Sequence, residues 1–258
     1  IIGNDGADKI YGGAGDDFIS SDRNLYSHKN SKDAIDYLKV RDLSKYGFGG
    51  PPPNGSYKST DELYGEGGND GLMGNDGENV LDGGKGSDVL IGCGGSDVFI
   101  LRAGDGGASL TDADLIKDFT DGSDAFGLAG GLSFSDLTIA QGTGSHSSHT
   151  IISKTSSSEY LAIVENISAG NITILDMISA ASGDQTLTGT SGNDTLLGGM
   201  GNDIISTGIG NDSVYGSLGN DIVTVDGTGT KVVDGGPGTD ELRINLSGVT
   251  GLSNLTIS

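Results

Sequence analysis

The chain has 258 residues, of which 48 are glycine, none is tryptophan and 5% are aromatic, so a large conventional hydrophobic core is not expected. Its net charge of −22 excludes a nucleic-acid-binding protein, because an acidic chain is repelled by the phosphate backbone. The single cysteine excludes an internal disulfide, and no apolar run in the sequence is long enough to span a membrane.

A nine-residue repeat begins near the start of the chain. Residues 3–11 read GNDGADKIY and residues 12–20 read GGAGDDFIS. Both copies approximate the frame G-G-x-G-x-D-x-U-x, in which U is a large apolar residue. Glycines at the first, second and fourth positions allow a tight six-residue turn, and the last three positions predict a short strand. Two copies therefore form one coil of strand, turn, strand and turn, with successive turns on opposite edges.

The repeat is interrupted at about residues 21–58 by a segment of different composition. Seven basic and four acidic residues give this insertion a net charge of +3 in a chain of −22. Ser31 is a suitable N-cap, Ile35 and Leu38 share one face, and Gly47 is a stop signal, which together predict a helix. Two interpretations remain open: a surface excursion from one turn, and a partner-binding arm rich in tyrosine and basic residues.

The repeat resumes at Asp61, and residues 65–100 divide into GEGGNDGLM, GNDGENVLD, GGKGSDVLI and GCGGSDVFI. The eighth positions are all apolar and are predicted to stack inside the coil: Ile10, Ile19, Leu63, Leu72, Leu81, Leu90 and Phe99, and in a later block Leu196, Ile205, Val214 and Val223. Further apolar residues flank this column at outward positions: Val80, Val89, Ile91, Val98 and Ile100. Because exposed apolar faces of that size usually meet a partner surface, we expect the following segment to cover them.

Aspartate recurs at the sixth position of the copies: Asp8, Asp17, Asp61, Asp70, Asp88, Asp97, Asp194, Asp203, Asp212, Asp221 and Asp240. Turns two copies apart share an edge, so these carboxylates approach and repel one another unless a cation lies between them. Carboxylates combined with backbone carbonyls suit a hard ion of flexible coordination, which favours calcium over magnesium. The predicted pairs are Asp17 with Asp70, Asp70 with Asp88, Asp194 with Asp212, and Asp203 with Asp221. Asn79 takes the sixth position of its copy, so sites that use it are expected to be weak or empty.

This frame resembles the nonapeptide of the RTX (repeat-in-toxin, hemolysin-type) calcium-binding proteins. The resemblance implies an all-β fold, a parallel β-roll or calcium-binding solenoid, in two blocks separated by an antiparallel β capping module. It implies several bound calcium ions whose remaining ligands are glycine-turn carbonyls: Gly13, Gly15, Gly68, Gly84, Gly86, Gly95, Gly192, Gly199, Gly201, Gly210 and Gly219. It also implies a bacterial protein that is exported unfolded and works outside the cell or at its surface.

Residues 101–182 do not repeat, and their alternation of apolar and polar residues predicts antiparallel strands. The stretch DADLIKDFTDGSDAFGL resembles the segment D-x-I-x-D-F-x-x-G-x-D that follows RTX repeats in secreted proteins, including serralysin-type proteases. The resemblance implies a capping module in which Asp118, Asp121 and Asp124 are additional ligands. The later stretches GGLSFSDLTI and EYLAIVENISAGNIT resemble tails of cyanobacterial hemolysin-type calcium-binding proteins.

The repeat returns in residues 183–258 as GTSGNDTLL, GGMGNDIIS, TGIGNDSVY and GSLGNDIVT. The next copy, VDGTGTKVVD, has ten residues and puts Thr230 where aspartate is expected, which brings a pairing of Asp221 with Asp240 into question. A last copy, GGPGTDELR, precedes a C-terminal strand. The sequence thus predicts a first roll at residues 1–100 with its inserted loop, a cap at 101–182, and a second roll at 183–258.

The sequence contains neither an H-E-x-x-H zinc motif nor a G-x-S-x-G nucleophile elbow, and we predict that the chain is not an enzyme. The leading hypothesis is a secreted module that folds on binding extracellular calcium and serves as the secretion and folding scaffold of a surface or exported protein. One alternative is the C-terminal module of an RTX protease, lipase or epimerase whose catalytic domain is absent. Another is a glycan-binding adhesin module. The partners implied are calcium and either another surface protein or a polysaccharide, with no nucleic acid and no membrane span.

Overall fold

The computed structural model describes residues 9–15, 17–20, 60–181, 183–245 and 252–257, and over these residues the chain is all-β. The helical elements in this part of the chain are single 3-10 turns at Leu110–Asp112, Phe134–Asp136, Gly144–His146, Ala169–Asn171 and Ile174–Asp176. The chain divides into two compact units, Ile1–Asp176 and Met177–Ser258. No helix in the described ranges is long and apolar enough to cross a membrane. The predicted helix of the insertion and the position of Asp8 lie outside the described residues.

The first unit is a parallel β-roll in which successive strands alternate between two sheets. One sheet contains β1 (Lys9–Ala14), β3 (Glu62–Gly67), β5 (Val80–Asp82), β7 (Val98–Arg102) and β9 (Ala125–Ala129), which pair in parallel in that order. The other contains β2 (Phe18–Ser20), β4 (Gly71–Met73), β6 (Val89–Ile91) and β8 (Asp114–Ile116), also parallel and in that order. Because each strand pairs with the strand two along the chain, each coil contacts only its neighbours, as in other solenoids.

The predicted apolar column forms the interior of this roll. Its members are all buried, Ile10 with 7% of its surface exposed and the other six with none: Ile19, Leu63, Leu72, Leu81, Leu90 and Phe99. The ladder registers place Ile10 opposite Leu63 and Ile19 opposite Leu72. The coil therefore continues in frame across the insertion.

Most of the apolar residues beside this column are also covered. Val89, Ile91, Val98 and Ile100 are buried, whereas Val80 is half-buried. Among the contacts of β7 is β12 (Glu159–Val164), a strand of the following segment. The segment that follows the repeats therefore contacts β7, and its coverage of the outward apolar face stays a prediction.

The segment after the repeats extends the roll before it changes direction. β8 and β9 lie within the region predicted to be antiparallel, yet both pair in parallel with roll strands. Among the described strands, antiparallel pairing is confined to β10 (Leu137–Gln141), β11 (Thr150–Lys154) and β12, and one isolated antiparallel bridge joins Gly107 to Tyr160 of β12. β12 in turn pairs in parallel with β8, so these strands continue the second sheet. At the end of the roll, Phe119 stacks on Phe126 with ring centroids 4.4 Å apart.

The second unit begins with β13 (Met177–Ser179) and contains a second parallel roll. One sheet has the order β14 (Thr186–Thr188), β16 (Ile204–Ser206), β18 (Ile222–Val225), β20 (Glu241–Ile244). The other has the order β15 (Thr195–Gly199), β17 (Asp212–Ser217), β19 (Gly229–Asp234), β21 (Leu252–Ile257). Its core consists of Ile205, Val214, Val223, Val225 and Val233, with Leu187, Leu196 and Leu242 packed against it.

The register of the ten-residue copy differs from the predicted one. Lys231, and not Thr230, lies opposite Asp212, and Val233 follows Val214 in the core. The extra residue is taken up in the turn, because core packing and strand pairing fix the positions of the residues after the turn. The next copy is back in frame, so Asp221 and Asp240 are neighbours after all.

Candidate metal centre

The turns of both rolls are tight enough to require glycine. Gly86 has a φ of +141°, and a side-chain Cβ there would lie 1.6 Å from the carbonyl oxygen of Gly68 in the turn below. The second position also has positive φ in several turns, including those in which Glu66, Cys93 or Ser217 replaces glycine. Such stacking brings the sixth residues of neighbouring turns together.

A ladder of carboxylates runs along one edge of the first roll. The backbone N–H of Asp17 donates to Asp70 Oδ1 at 2.6 Å, and that of Asp70 donates to Asp88 Oδ1 at 2.7 Å. The N–H of Asp88 donates to Asp114 Oδ1 at 3.0 Å. Both predicted pairs on this edge are thus brought together, and Asp114 extends the ladder by one residue that sequence reasoning missed.

The opposite edge of the first roll contains Asn79 in the middle of its ladder. The N–H of Asp61 donates to Asn79 Oδ1 at 3.3 Å, and that of Asn79 donates to Asp97 Oδ1 at 2.8 Å. The N–H of Asp97 donates to Asp124 Oδ1 at 3.0 Å. Asp124 therefore occupies a sixth-position place, as Asp114 does on the other edge.

Asp118 and Asp121, the other two acidic residues suggested from the post-repeat segment, have different surroundings. The Asp118 carboxylate accepts hydrogen bonds from the backbone N–H groups of Gly92 and Cys93 at 2.9 and 2.8 Å. Asp121 is exposed and accepts a hydrogen bond from Asn171. Asp118 thus contacts a glycine turn, whereas Asp121 lies at the surface.

The second roll repeats the ladder geometry on both edges. The N–H of Asp203 donates to Asp221 Oδ1 at 2.7 Å, and that of Asp221 donates to Asp240 Oδ1 at 2.9 Å. On the other edge the N–H of Asp194 donates to Asp212 Oδ1 at 2.9 Å. Both predicted pairs in this roll are brought together. Gln185, which was not predicted, begins the first ladder by donating its N–H to Asp203 Oδ1 at 2.8 Å.

The glycines implied as carbonyl ligands all lie at the second or fourth position of a copy. Positive φ is found at eight of them: Gly13, Gly15, Gly68, Gly84, Gly86, Gly95, Gly210 and Gly219. The other three, Gly192, Gly199 and Gly201, do not have positive φ. In their turns the aspartate folds back, so that Asp194 Oδ2 accepts from the N–H of Thr190 and Asp203 Oδ2 accepts from that of Gly199, each at 2.7 Å.

Burial makes the ladders costly to ionise. It raises the pKa of Asp88 to about 7, with the nearby Asp70 charge adding to the effect, and the pKa of Asp97 to about 8. Burial likewise raises the pKa of Asp221 to about 6, and it holds the pKa of Asp114 well above its usual range. The Oδ2 atoms of Asp88 and Asp221 are buried and have no hydrogen-bond partner among the described residues. A cation at each turn would offset both costs.

One turn shows directly that its oxygens surround a positive charge. The Lys231 ammonium donates to the carbonyl oxygens of Gly208 and Gly210 at 2.7 and 2.9 Å and forms a fully buried ion pair with Asp212. No three histidine, cysteine or acidic side chains converge within the described ranges. A donor set of carboxylate and carbonyl oxygens is the set that calcium prefers. The residues present therefore fit calcium.

Comparison with known proteins agrees with this geometry. The family model described as "RTX calcium-binding nonapeptide repeat (4 copies)" matches residues 1–24, 58–81, 73–107, 179–214 and 198–228. No curated protein matches the chain. Among solved structures, the chain is similar to the solution structure of the AlgE6R3 subunit from the Azotobacter vinelandii mannuronan C5-epimerase, at 22% identity over 70% of this chain and 82% of that one. The TM-score of 0.24 is too low for that likeness to support an argument. The period, the ladders and the family match together show that the matched segments of both rolls consist of RTX calcium-binding nonapeptide repeats.

Proposed function

We propose that the chain is a non-enzymatic module that folds on binding extracellular calcium and acts as the secretion and folding scaffold of a surface or exported protein. The observation that carries the proposal is the carboxylate ladder, in which buried aspartates such as Asp88 and Asp221 stack at a coil-to-coil spacing that leaves their Oδ2 atoms without partners in the part of the chain that the structure describes. At neutral pH, ionising these groups opposes folding. Calcium reverses that opposition, so its binding free energy becomes folding free energy.

The same coupling accounts for a role in export. Calcium sites of extracellular modules have dissociation constants on the order of 10⁻⁴–10⁻³ M. Such sites stay empty at cytosolic calcium levels and fill outside the cell. The chain would then be unfolded while it is exported and would fold after it emerges. The charge of −22 adds self-repulsion that keeps the metal-free chain open.

The test is a calcium titration of the full chain followed by circular dichroism. We expect a largely unfolded spectrum in chelator, a cooperative rise of β-structure with a midpoint on the order of 0.1–1 mM calcium, and no rise with magnesium. A β-rich spectrum that is unchanged by chelator would contradict the coupling. Linking the chain to an exported reporter, with and without external calcium, then tests the scaffold role.

The variant Asp88→Asn should have opposite effects on the stability of the calcium-free chain and on its affinity for calcium. The amide keeps the shape of the side chain and removes a buried charge, so we expect the calcium-free chain to become more stable. The same change removes an anionic ligand, so the calcium midpoint should rise about tenfold, the effect of losing about 1.4 kcal/mol of binding energy. The control is Glu78→Gln, an equal change of charge at an exposed residue of a turn in the same roll. If both midpoints move alike, the ladder position of Asp88 is not what matters.

A further inference from the structure

Lys231 is the one lysine of the described residues whose side chain is entirely buried. It donates to Gly208 O at 2.7 Å, to Gly210 O at 2.9 Å and more distantly to Thr228 O at 3.4 Å. It also pairs with the Asp212 carboxylate, which is itself fully buried. A buried ammonium is costly unless it is paired and hydrogen-bonded, and here both conditions are met.

The oxygens that contact the Lys231 ammonium include those of three residues in one turn of the repeat. Gly208, Gly210 and Asp212 are the second, fourth and sixth residues of the copy TGIGNDSVY. Lys231 comes from the copy two along the chain and lies opposite Asp212 in the strand register. It thus takes the place that Asp221 takes relative to Asp203 on the other edge. The side chain projects back into the turn where a neighbouring aspartate would otherwise share a cation.

The charges balance in the same way with or without a metal. Two aspartates and one Ca²⁺ sum to zero, and so do Asp212 and the Lys231 ammonium. The ammonium has three N–H donors, and the two glycine carbonyls and the carboxylate supply an acceptor for each. The remaining oxygen of Asp212, Oδ1, accepts the Asp194 N–H at 2.9 Å, so the ladder is continuous through this point.

We propose that Lys231 supplies an internal cation to the turn formed by residues 207–212, so that this turn binds no calcium and the contact between β17 and β19 does not depend on the metal. The inference rests on the proposed function, since it concerns which turns of a calcium-binding roll are loaded. The opposite edge of the second roll, with Asp203, Asp221 and Asp240, remains a calcium-binding edge. The second roll therefore carries one coil contact whose charges balance without calcium.

Lys231→Asp in the full chain tests the proposal by restoring an acidic sixth residue. We expect native mass spectrometry at saturating calcium to detect one more bound ion in the variant than in the wild type. Lys154→Asp is the matched control, because it makes the same change of charge at a half-buried residue of β11, away from any glycine turn. Its ion count should equal that of the wild type.

A second measurement does not depend on the variant folding. An anomalous-scattering map from calcium-loaded wild-type crystals should contain ions at the Asp203–Asp221 turn and none between Gly208 and Asp212. An ion between Gly208 and Asp212, or an unchanged ion count in a folded Lys231→Asp chain, overturns the inference and leaves the proposed function intact. A wild-type chain that binds no calcium overturns both.

Discussion

Asn79 shows how a neutral side chain at the sixth position changes a turn. Its Nδ2 donates to the carbonyl oxygens of Gly77 and Asn75 at 2.9 and 3.2 Å, and to Asp97 Oδ1 at 3.1 Å. The amide hydrogens therefore contact the same kinds of oxygen that the Lys231 ammonium contacts in the second roll. A single residue thus decides whether a turn carries its own donors or leaves its oxygens for a metal.

Asn79→Asp is predicted to exchange one state for the other. The carboxylate has no N–H to donate and adds a charge beside Asp97, so the calcium-free chain should lose about 1–3 kcal/mol, the cost of leaving buried polar groups unsatisfied. With calcium present, one additional ion should bind. The loss of residual β-structure in chelator, followed by circular dichroism, and ion counting by native mass spectrometry measure the two effects. The control is Asn69→Asp, at an exposed fifth position whose Oδ1 accepts the Ser87 N–H, as a carboxylate oxygen also can.

Ser217 is another residue whose side chain should measurably lower the stability of the fold. Its φ of +78° is in the left-handed region, and its Oγ is buried without a hydrogen-bond partner among the described residues. Ser217→Gly should stabilise the calcium-loaded chain by about 0.5–1 kcal/mol, because relief of left-handed strain exceeds the added entropy of the unfolded glycine. Chemical denaturation at saturating calcium measures it. Ser213→Gly, within β17, should destabilise the chain, and a loss of stability in both variants would argue against strain at Ser217.

At the scale of strands and turns, the regular period determined what could be predicted. Each full copy forms half a coil. Counting in steps of nine residues therefore predicted the apolar interior and the ladder neighbours of Asp70 and Asp203 correctly. Counting failed where turns have other lengths. Paired ladder residues are separated by 18 positions at Asp70–Asp88 but by 26 at Asp88–Asp114.

Two ladder residues lie outside the nine-residue copies and still carry a shorter signal: Asp114, which was missed, and Asp124, which the resemblance suggested but the repeat frame did not. Asp114 and Asp124 are each followed two residues later by a buried apolar residue, Ile116 and Phe126, as in the last part of the repeat. The glycine turn before them is absent, so the full nine-residue frame does not detect them. Lys231 was missed for a different reason: strand pairing and core packing, which set the register, cannot be read from a ten-residue copy by counting.

The insertion gives a prediction at the same scale. Ile10 pairs with Leu63 and Ile19 with Leu72, so the coils on either side of the insertion are in register. The entropic cost of closing a loop grows only slowly with the length of the loop. Replacing Asp22–Ser56 by a short glycine-rich turn should therefore leave the calcium midpoint nearly unchanged, as followed by circular dichroism. Loss of calcium-induced folding would show instead that the inserted residues belong to the core of the first roll.

For the molecule as a whole, the ladders couple folding to protons as well as to calcium. Burial raises the folded-state pKa of Asp88 to about 7 and that of Asp97 to about 8, from the ordinary value of 3.8. Between these values the folded state holds protons that the unfolded state has released, so stability falls as pH rises. The stabilisation of the calcium-free fold is complete below about pH 4 and is lost as pH rises through 7 to 8.

The metal-free chain should accordingly have a higher melting temperature at pH 5 than at pH 8. The calcium concentration at the folding midpoint should also be higher at pH 5, because protons and calcium compete for the same carboxylates. Thermal melts in metal-depleted buffer and calcium titrations at both pH values measure this. Asp97→Asn is the informative variant, since it removes the group with the higher of these two pKa values and should flatten the pH dependence of the metal-free melt. Lowered net charge also reduces self-repulsion in acid, but that effect is spread over a chain of −22 and would survive the substitution. A pH dependence that is unchanged by Asp97→Asn would therefore assign the effect to overall charge and not to the buried ladder.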